Sequence, residues 1–390
     1  MDEYIKETLT QLNTNMYREL TIVLGNESCD LDSAVSSIVY AAFLSWQHEQ
    51  ISCKVCTRGN RPPDMKPDIF VPILNVDRSD YELKTEVAFL LRNNGIYESN
   101  LVFRDDHDLL ELMSRSTCKV VLVDHHNLAK RDLFLAQAVT EIIDHRPLDK
   151  SVWCYQDDTR ATIETVGSCC TLIAQRIKDL GKLIAKDVDF FYAHPKCTKL
   201  LYSTIILDTV NFSKQVDKAT PHDEEIVQFL ESVIKPRDYS AERQNILDTL
   251  VAARSNVYNL TAGQLLKKDV KIVGSMLVPS FPMLVKDFLK KPGAVKSVRD
   301  ALKKQGCAIA LLLGIDLSSG VQRDVAVYSI NNPETTTIFC KHLEEWTSPP
   351  LGLSPEILSD AAEFNYYGQS NLSASRKQFI PAVKAFFDVK

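Results

Sequence analysis

The stretch "LTIVLGNESCDLDS", residues 20–33, runs an apolar segment of strand character into two carboxylates, Asp30 and Asp32, placed two residues apart. Directly after it, "DSAVSSIVYAAFLSWQ" repeats Val35, Ile38, Val39 and Phe43 at helical spacing. The order is strand, tight turn, helix. Capping explains one Asp at such an entry, because its oxygen accepts orphan N–H groups and its charge suits the helix dipole. Asp32 is a candidate cap on that ground. A second carboxylate beside it asks for more.

The pattern recurs. "KVVLVDHHN" (119–127) and "TEIIDHRP" (140–147) each end an apolar run in an acid, giving Asp124-His125-His126 and Asp144-His145-Arg146 twenty residues apart. A lone His after a strand is ordinarily a hydrogen-bonded structural residue. Carboxylates on three strand ends are harder to explain by packing, since uncompensated charges in one crevice repel and raise each other's pKa. Asp208 adds another in "LLYSTIILDTVNF" (200–212), on the helical stripe of Leu201, Thr204 and Ile205. A charge there is buried, and at a helix C-terminus the dipole repels it further, so a metal or an Arg must compensate. Asp and His together suit Mn, Mg or Co, and a carboxylate bridging two ions is the usual core of a two-metal hydrolase.

Around these motifs, strand-like runs alternate with helical patterns. "ISCKVC" (51–56), "VPILNV", "NLVF", "CKVVLVD", "AVTEIID" and "SVWCYQ" (151–156) read as strands. "DYELKTEVAFLLRNNG", "DHDLLELMSR" and residues 162–181 and 197–209 read as helices. Near-continuous apolar strands between helices predict an α/β fold, a parallel sheet covered on both faces, with ligands at the carboxyl ends of its strands. The polar "NFSKQVDKATPHDEE" (211–225), with Pro221, breaks both periodicities and predicts a linker at 213–222 between domains 1–212 and 223–390. Beyond it a helical stretch (223–258) precedes "DVKIVGSMLV", "CAIALLLGIDL" and "VQRDVAVYSI", the last two as a hairpin. Helices are expected around 281–290, 294–304, 334–346 and 376–388. That is a smaller mixed α/β unit.

The totals agree with two globular domains: 390 residues, 45% hydrophobic, 25% charged, with no repeat and no low-complexity tract. A net charge of -6 gives no general case for nucleic acid or an anionic membrane, so an anionic substrate must be met by placed cations or metal. The polar, acidic N-terminus has no secretory pattern and no apolar run approaches ~20 residues, so a soluble, cytoplasmic protein is expected. The ten cysteines are scattered, several in apolar runs (Cys118, Cys169, Cys170, Cys307), as suits reduced thiols. The lone Cys53/Cys56 pair, on opposite faces of a strand and without a second pair, does not predict zinc.

Two basic stretches remain, "LLKKDVK" with Lys267, Lys268 and Lys271, and "NLSASRKQFIP" with Arg376 and Lys377. A solvated basic face accounts for either. Arg376, on a loop before a helix beside Ser373 and Ser375, also suits bidentate phosphate binding.

In this order, "GNESCDLDS", "VDHH", "DHRP", the buried acid of "ILDTVNF" and a C-terminal "SRK", the chain resembles the DHH phosphoesterase superfamily with its DHHA2 domain. Within it, "PILNVDRSDYELKTEVAFLLR", "FRDD" and "ETVGSCCTLIA" are most similar to the Prune proteins and related eukaryotic exopolyphosphatases. The resemblance implies two divalent cations, Mg or Mn, with Co as a further candidate. Asp30 and Asp124 would hold one, and Asp32, Asp124, His145 and Asp208 the other, with Asp124 as bridge. It implies hydrolysis of short-chain inorganic polyphosphate to orthophosphate, by attack of a hydroxide held between the ions. His126 and Arg146 would face the phosphate being cleaved. Lys271, Arg376 and Lys377 would grip the remaining phosphates and close the second domain over an inter-domain active site.

Two positions depart from related pyrophosphatases. Asn26 stands where they carry a metal-binding His, a weak ligand that favours Mg over softer ions. Arg146 stands where they carry a second His, and a guanidinium cannot act as general acid, which leaves His126 for that role. Two alternatives stay open. One is a phosphodiesterase on cyclic or linear nucleotides, which needs a base pocket, and the sequence exposes no obvious aromatic platform beyond Tyr366 and Tyr367. The other is a regulatory scaffold, since Prune proteins are associated with nucleoside diphosphate kinases.

Overall fold

In the computed structural model, residues 1–56, 66–184, 189–317, 320–330 and 332–388 are described. Contacts divide the chain into two compact units, Met1–Arg254 and Ser255–Lys390.

The first unit is built on six strands: β1 (Glu19–Leu24), β2 (Ile69–Leu74), β3 (Val102–Phe103), β4 (Thr117–Val123), β5 (Val139–Asp144) and β6 (Arg160–Ile163). They lie in the order β3-β2-β1-β4-β5-β6, and every pairing is parallel. Side chains alternate between two cores, which is why the strands read as unbroken apolar runs. Val23, Val121 and Val123 enter one core, with the helices Leu31–Cys56, Cys169–Ile184 and Pro195–Asp208. Ile22, Leu24, Val120 and Leu122 enter the other, with Leu12 of the first helix and Leu109 and Leu112. Chain direction across the sheet reverses at β1 and β4, so the loops after their carboxyl ends splay apart into a crevice.

Several expectations are corrected. "ISCKVC" continues the Leu31–Cys56 helix instead of forming a strand; the Cys53 and Cys56 side chains lie outside the described residues. β-branched residues there are overridden by the helix already running into them. "SVWCYQ" is a short 3₁₀ turn at Lys150–Val152 and a loop, and the sixth strand is Arg160–Ile163. The helix expected from 162 therefore starts at Cys169. The 223–258 stretch is two helices, Pro221–Ile234 and Tyr239–Ser255.

The units divide at Arg254 and Ser255, later than the expected 213–222 linker. Ile226, Val227 and Leu230 of the Pro221–Ile234 helix are buried in the first unit's core together with Leu250. Residues 211–220 are thus a surface turn between two helices of one unit, and 221–225 begin the second of them.

The second unit carries β7 (Val270–Val273), β8 (Met276–Phe281), β9 (Ile309–Asp316), β10 (Gln322–Ser329), β11 (Leu353–Glu356) and β12 (Asn365–Gln369) in the order β11-β12-β10-β9-β8-β7. β8 and β9 are parallel and the other pairs antiparallel, with β9 and β10 adjacent as expected. The last two strands carry no clear alternation, and Pro355 hid the first of them. Tyr366 and Tyr367 are buried within β12, so they offer no exposed platform for a base.

Candidate metal centre

The loops after β1, β4 and β5 and the end of the Pro195–Asp208 helix bring the sequence-marked acids together. Gly25 starts the first loop, where a Cβ would fall 2.3 Å from Ser33 Oγ, so no side chain fits. Asp30 then caps the Leu31–Cys56 helix, its Oδ1 accepting from Ser33 N–H at 3.1 Å. Asp32 is the acid that was a candidate cap for this helix, but it serves a different one. Its Oδ2 accepts from Cys169 N–H (2.6 Å), and its Oδ1 accepts from Cys170 N–H and Ser168 Oγ (2.8 Å each), at the entry of the Cys169–Ile184 helix. The positive end of that helix holds the carboxylate in place.

Asp124 follows β4 in a left-handed conformation (φ 61°), which Asp tolerates better than most residues. It is almost fully buried, and its Oδ1 lies 3.2 Å from His145 Nε2 and 3.1 Å from Arg146 Nη1. Burial, reinforced by Asp32 and Asp30 against the pull of His145 and Arg146, pushes its pKa up to about 7. His145 donates through Nδ1 to Val166 O at 2.9 Å, which aims Nε2 at the acids. Burial works against its charge, but the Asp124 hydrogen bond and the Asp32 charge outweigh that and raise it to about 9.

One ligand atom each from Asp32, Asp124 and His145 falls within 4.8 Å of the others. Asp208, at the end of its helix, presents a buried Oδ2 with no hydrogen-bond partner. Burial and then Asp32 raise its pKa well above the usual carboxylate range, although Lys218 and Ser168 act in the opposite direction. An orphaned buried carboxylate oxygen costs free energy in a protein that never pairs it. Oxygen donors with one imidazole, packed this closely, fit hard divalent cations. The donor set passes that test.

Asn26 does not turn its oxygen to the cluster. Its Nδ2 donates to Asp124 Oδ2, and its Oδ1 accepts from Ser28 N–H at 2.8 Å. It therefore positions the Asp124 carboxylate. Arg146 also donates to the Asp124 carbonyl and lies 3.4 Å from Asp144 Oδ1.

His126 is buried, its Nδ1 2.5 Å from Asp144 Oδ2, and its Nε2 accepts from Asp149 N–H at 3.3 Å. Both ring nitrogens are therefore engaged. With Asn26, His125, Asp132 and Arg146 it lines an open cleft of about 330 Å³ beside the acids. His125 donates through Nδ1 to Val123 O, and burial lowers its pKa.

The remaining predicted residues lie in the second unit. Lys271 is on β7 and exposed, as is Lys377. Arg376 is the first residue of the Arg376–Asp388 helix, and its guanidinium is bound to Asp269 Oδ1 (2.6 Å) and Asp269 O (3.0 Å), just before β7. The unit thus brings Arg376 beside the strand that carries Lys271.

Sequence reasoning missed Ser168 and the helix entry after it, and it gave no role to Asp144, the residue that orients His126. The small "VGSCC" run marks a tight turn, but only the fold shows what it holds.

Family models match on both units: the DHH family N-terminal domain over residues 21–205 and the DHHA2 domain over residues 248–386. Exopolyphosphatase PRUNE1 of Rattus norvegicus is 33% identical over 398 residues, covering all of this chain and 80% of that protein. The Homo sapiens protein of the same name is 32% identical over the same extent. Protein prune homolog 2 of Mus musculus is 26% identical over 91% of this chain, which spans 10% of that much longer protein. With both domains matched in order and a third of its residues shared along its full length, the chain belongs to the Prune exopolyphosphatase family of DHH–DHHA2 proteins.

Proposed function

We propose that this chain is a metal-dependent exopolyphosphatase that removes terminal orthophosphate from short-chain inorganic polyphosphate. The observation that carries the reading is the convergence of Asp32, Asp124 and His145 within 4.8 Å at strand ends, beside the unpaired buried Oδ2 of Asp208. The names of its PRUNE1 relatives support the substrate class.

Asp30 and Asp124 would hold one divalent cation, and Asp32, Asp124, His145 and Asp208 a second. Bound ions supply Lewis acidity toward phosphoryl oxygens and a water acidic enough to attack at neutral pH. The chain's own groups do the rest. Val166 O fixes the His145 tautomer, and Asn26 with Arg146 fixes Asp124. Arg146 is charged at every working pH and half-exposed beside the cleft, so it offsets charge on the phosphate. His126, its Nδ1 paired with Asp144, is the candidate proton donor to the departing phosphate once Nε2 leaves the Asp149 N–H and takes a proton from water, Asp144 offsetting the imidazolium charge.

Lys271, Arg376 and Lys377 are proposed to hold the distal phosphates. Residues 255–390 carry 16 Lys and Arg against 12 Asp and Glu, leaving 29 against 39 for residues 1–254 out of 45 and 51 overall. The unit with the acid cluster is therefore the acidic one, and the unit that carries Lys271, Arg376 and Lys377 is the basic one.

The test is phosphate release from pyrophosphate, tripolyphosphate, long polyphosphate and cyclic AMP in parallel, with Mg²⁺ and with Mn²⁺. Release from tripolyphosphate that disappears with chelator and in Asp124→Ala is expected. A folded, metal-binding protein that releases phosphate from none of the polyphosphates would overturn the proposal.

A further inference from the structure

We infer that Asp223, which is not among the metal-ligating acids, is a positioning residue for the metal centre and acts through the Val166–Cys170 turn. The inference rests on reading Asp32, Asp124, His145 and Asp208 as ligands.

That turn serves two of them. Val166 O accepts from His145 Nδ1. Ser168 Oγ and the N–H groups of Cys169 and Cys170 bind Asp32. Displacing the turn therefore swings an imidazole and a carboxylate together.

Gly167 is wedged at its centre. A Cβ there would lie 2.8 Å from Thr209 Cγ2, next to Asp208, and 3.0 Å from Asp223 Oδ2.

Asp223 is fully buried in the first turn of the Pro221–Ile234 helix. Its Oδ2 accepts from Thr220 N–H and Thr220 Oγ1 at 2.7 Å each, the bonds of an ordinary helix entry. It makes two further bonds that a cap does not need. Oδ2 also accepts from Gly167 N–H at 2.8 Å, and Oδ1 accepts from Thr171 Oγ1 at 2.6 Å. A buried carboxylate is retained where its donors satisfy it, and here half of them come from the segment that holds the ligands. Groups that orient metal ligands commonly change metal affinity by about 10–100-fold when removed.

The experiment is calorimetric titration of the full chain with Mn²⁺, alongside urea unfolding in chelator, for four variants. Asp223→Ala is expected to weaken Mn²⁺ binding about tenfold or more, and Thr171→Val by a smaller factor in the same direction. Asp223→Asn should restore binding to near wild type, since its oxygen accepts from Gly167 and Thr220 while its NH₂ donates to Thr171 Oγ1. Thr220→Ala, which removes the helix-entry hydroxyl but leaves the Asp223 bonds to Gly167 and Thr171, should lower stability and leave affinity within about twofold.

A folded Asp223→Ala protein with wild-type affinity overturns the inference. So does Thr220→Ala weakening binding as much as Asp223→Ala does, which would reduce Asp223 to a cap. Should Asp223→Ala not fold, Thr171→Val decides, and unchanged affinity there overturns it. Wild-type protein that binds no Mn²⁺ would instead remove the metal reading beneath it.

Discussion

Chelated protein should lose stability as pH rises from about 6 to about 9, and a divalent cation should cancel that loss. The magnitude follows from two groups. Asp124 titrates near 7 against an ordinary 3.8, and His145 near 9 against 6.5. Both are raised, so the folded protein binds these protons more tightly than the unfolded chain. The stability they contribute is complete below the ordinary values. It is lost between 3.8 and about 7 for Asp124, and between 6.5 and about 9 for His145. At about 1.4 kcal/mol per pH unit, the His145 interval amounts to roughly 3–4 kcal/mol, and the part of the Asp124 interval above pH 6 to about 1.4 kcal/mol. The two share a hydrogen bond, so the pair is expected to lose roughly 4 kcal/mol together and not the sum. A cation present at about a thousand times its dissociation constant adds back about 4 kcal/mol.

The assay is urea unfolding at both pH values, in chelator and in excess Mn²⁺, for wild type and Asp124→Asn. His194, lowered to about 4 by burial and the nearby N-terminus, acts in the opposite sense and only below 6.5, so it does not mimic the effect. The reasoning fails if chelated wild type is equally stable at the two pH values, or if Asp124→Asn shows the same pH slope.

Three shorter predictions follow from single contacts. Arg146→Ala should lower kcat for tripolyphosphate about a hundredfold and weaken Mn²⁺ binding little, because metal replaces the guanidinium on Asp124 but not on the phosphate; stopped-time phosphate release with calorimetry checks both. Arg376→Ala should mainly raise KM for tripolyphosphate, as expected of a contact to a remote phosphate, and a collapse of kcat at unchanged KM would move Arg376 to the reacting centre. Asp324→Ala should destabilise the second unit by about 2–4 kcal/mol, since this buried acid accepts from Val285 N–H (2.7 Å), Lys286 N–H (3.0 Å) and Tyr366 Oη (3.0 Å). Urea unfolding measures that loss, and a change under about 0.5 kcal/mol would contradict it.

The sequence by itself determined where strands end in acids. Apolar runs closing on Asp30, Asp124 and Asp144, and a helical stripe closing on Asp208, are local patterns. Period and burial preference reveal them without knowledge of any neighbour. The parallel, doubly covered sheet was legible for the same reason, because strands buried on both faces must be apolar throughout. Local signals failed where a neighbour decided. "ISCKVC" has strand composition but is captured by the helix entering it. The polar 211–225 stretch looks like a linker until the next helix is seen burying Ile226, Val227 and Leu230 in the first core.

The centre itself shows the same division. Residue types announced Asp32 and Asn26, yet what each does depends on partners more than ninety residues away. Asp32 caps a helix entered at Cys169, and Asn26 donates to Asp124. Asp223 carried no signal beyond a helix entry, because its bonds to Gly167 and Thr171 exist only once the chain has closed a loop of some fifty residues. Hydrogen-bond geometry between distant segments is set by how the sheet and its helices stack, and a one-dimensional pattern carries the groups without the distances between them.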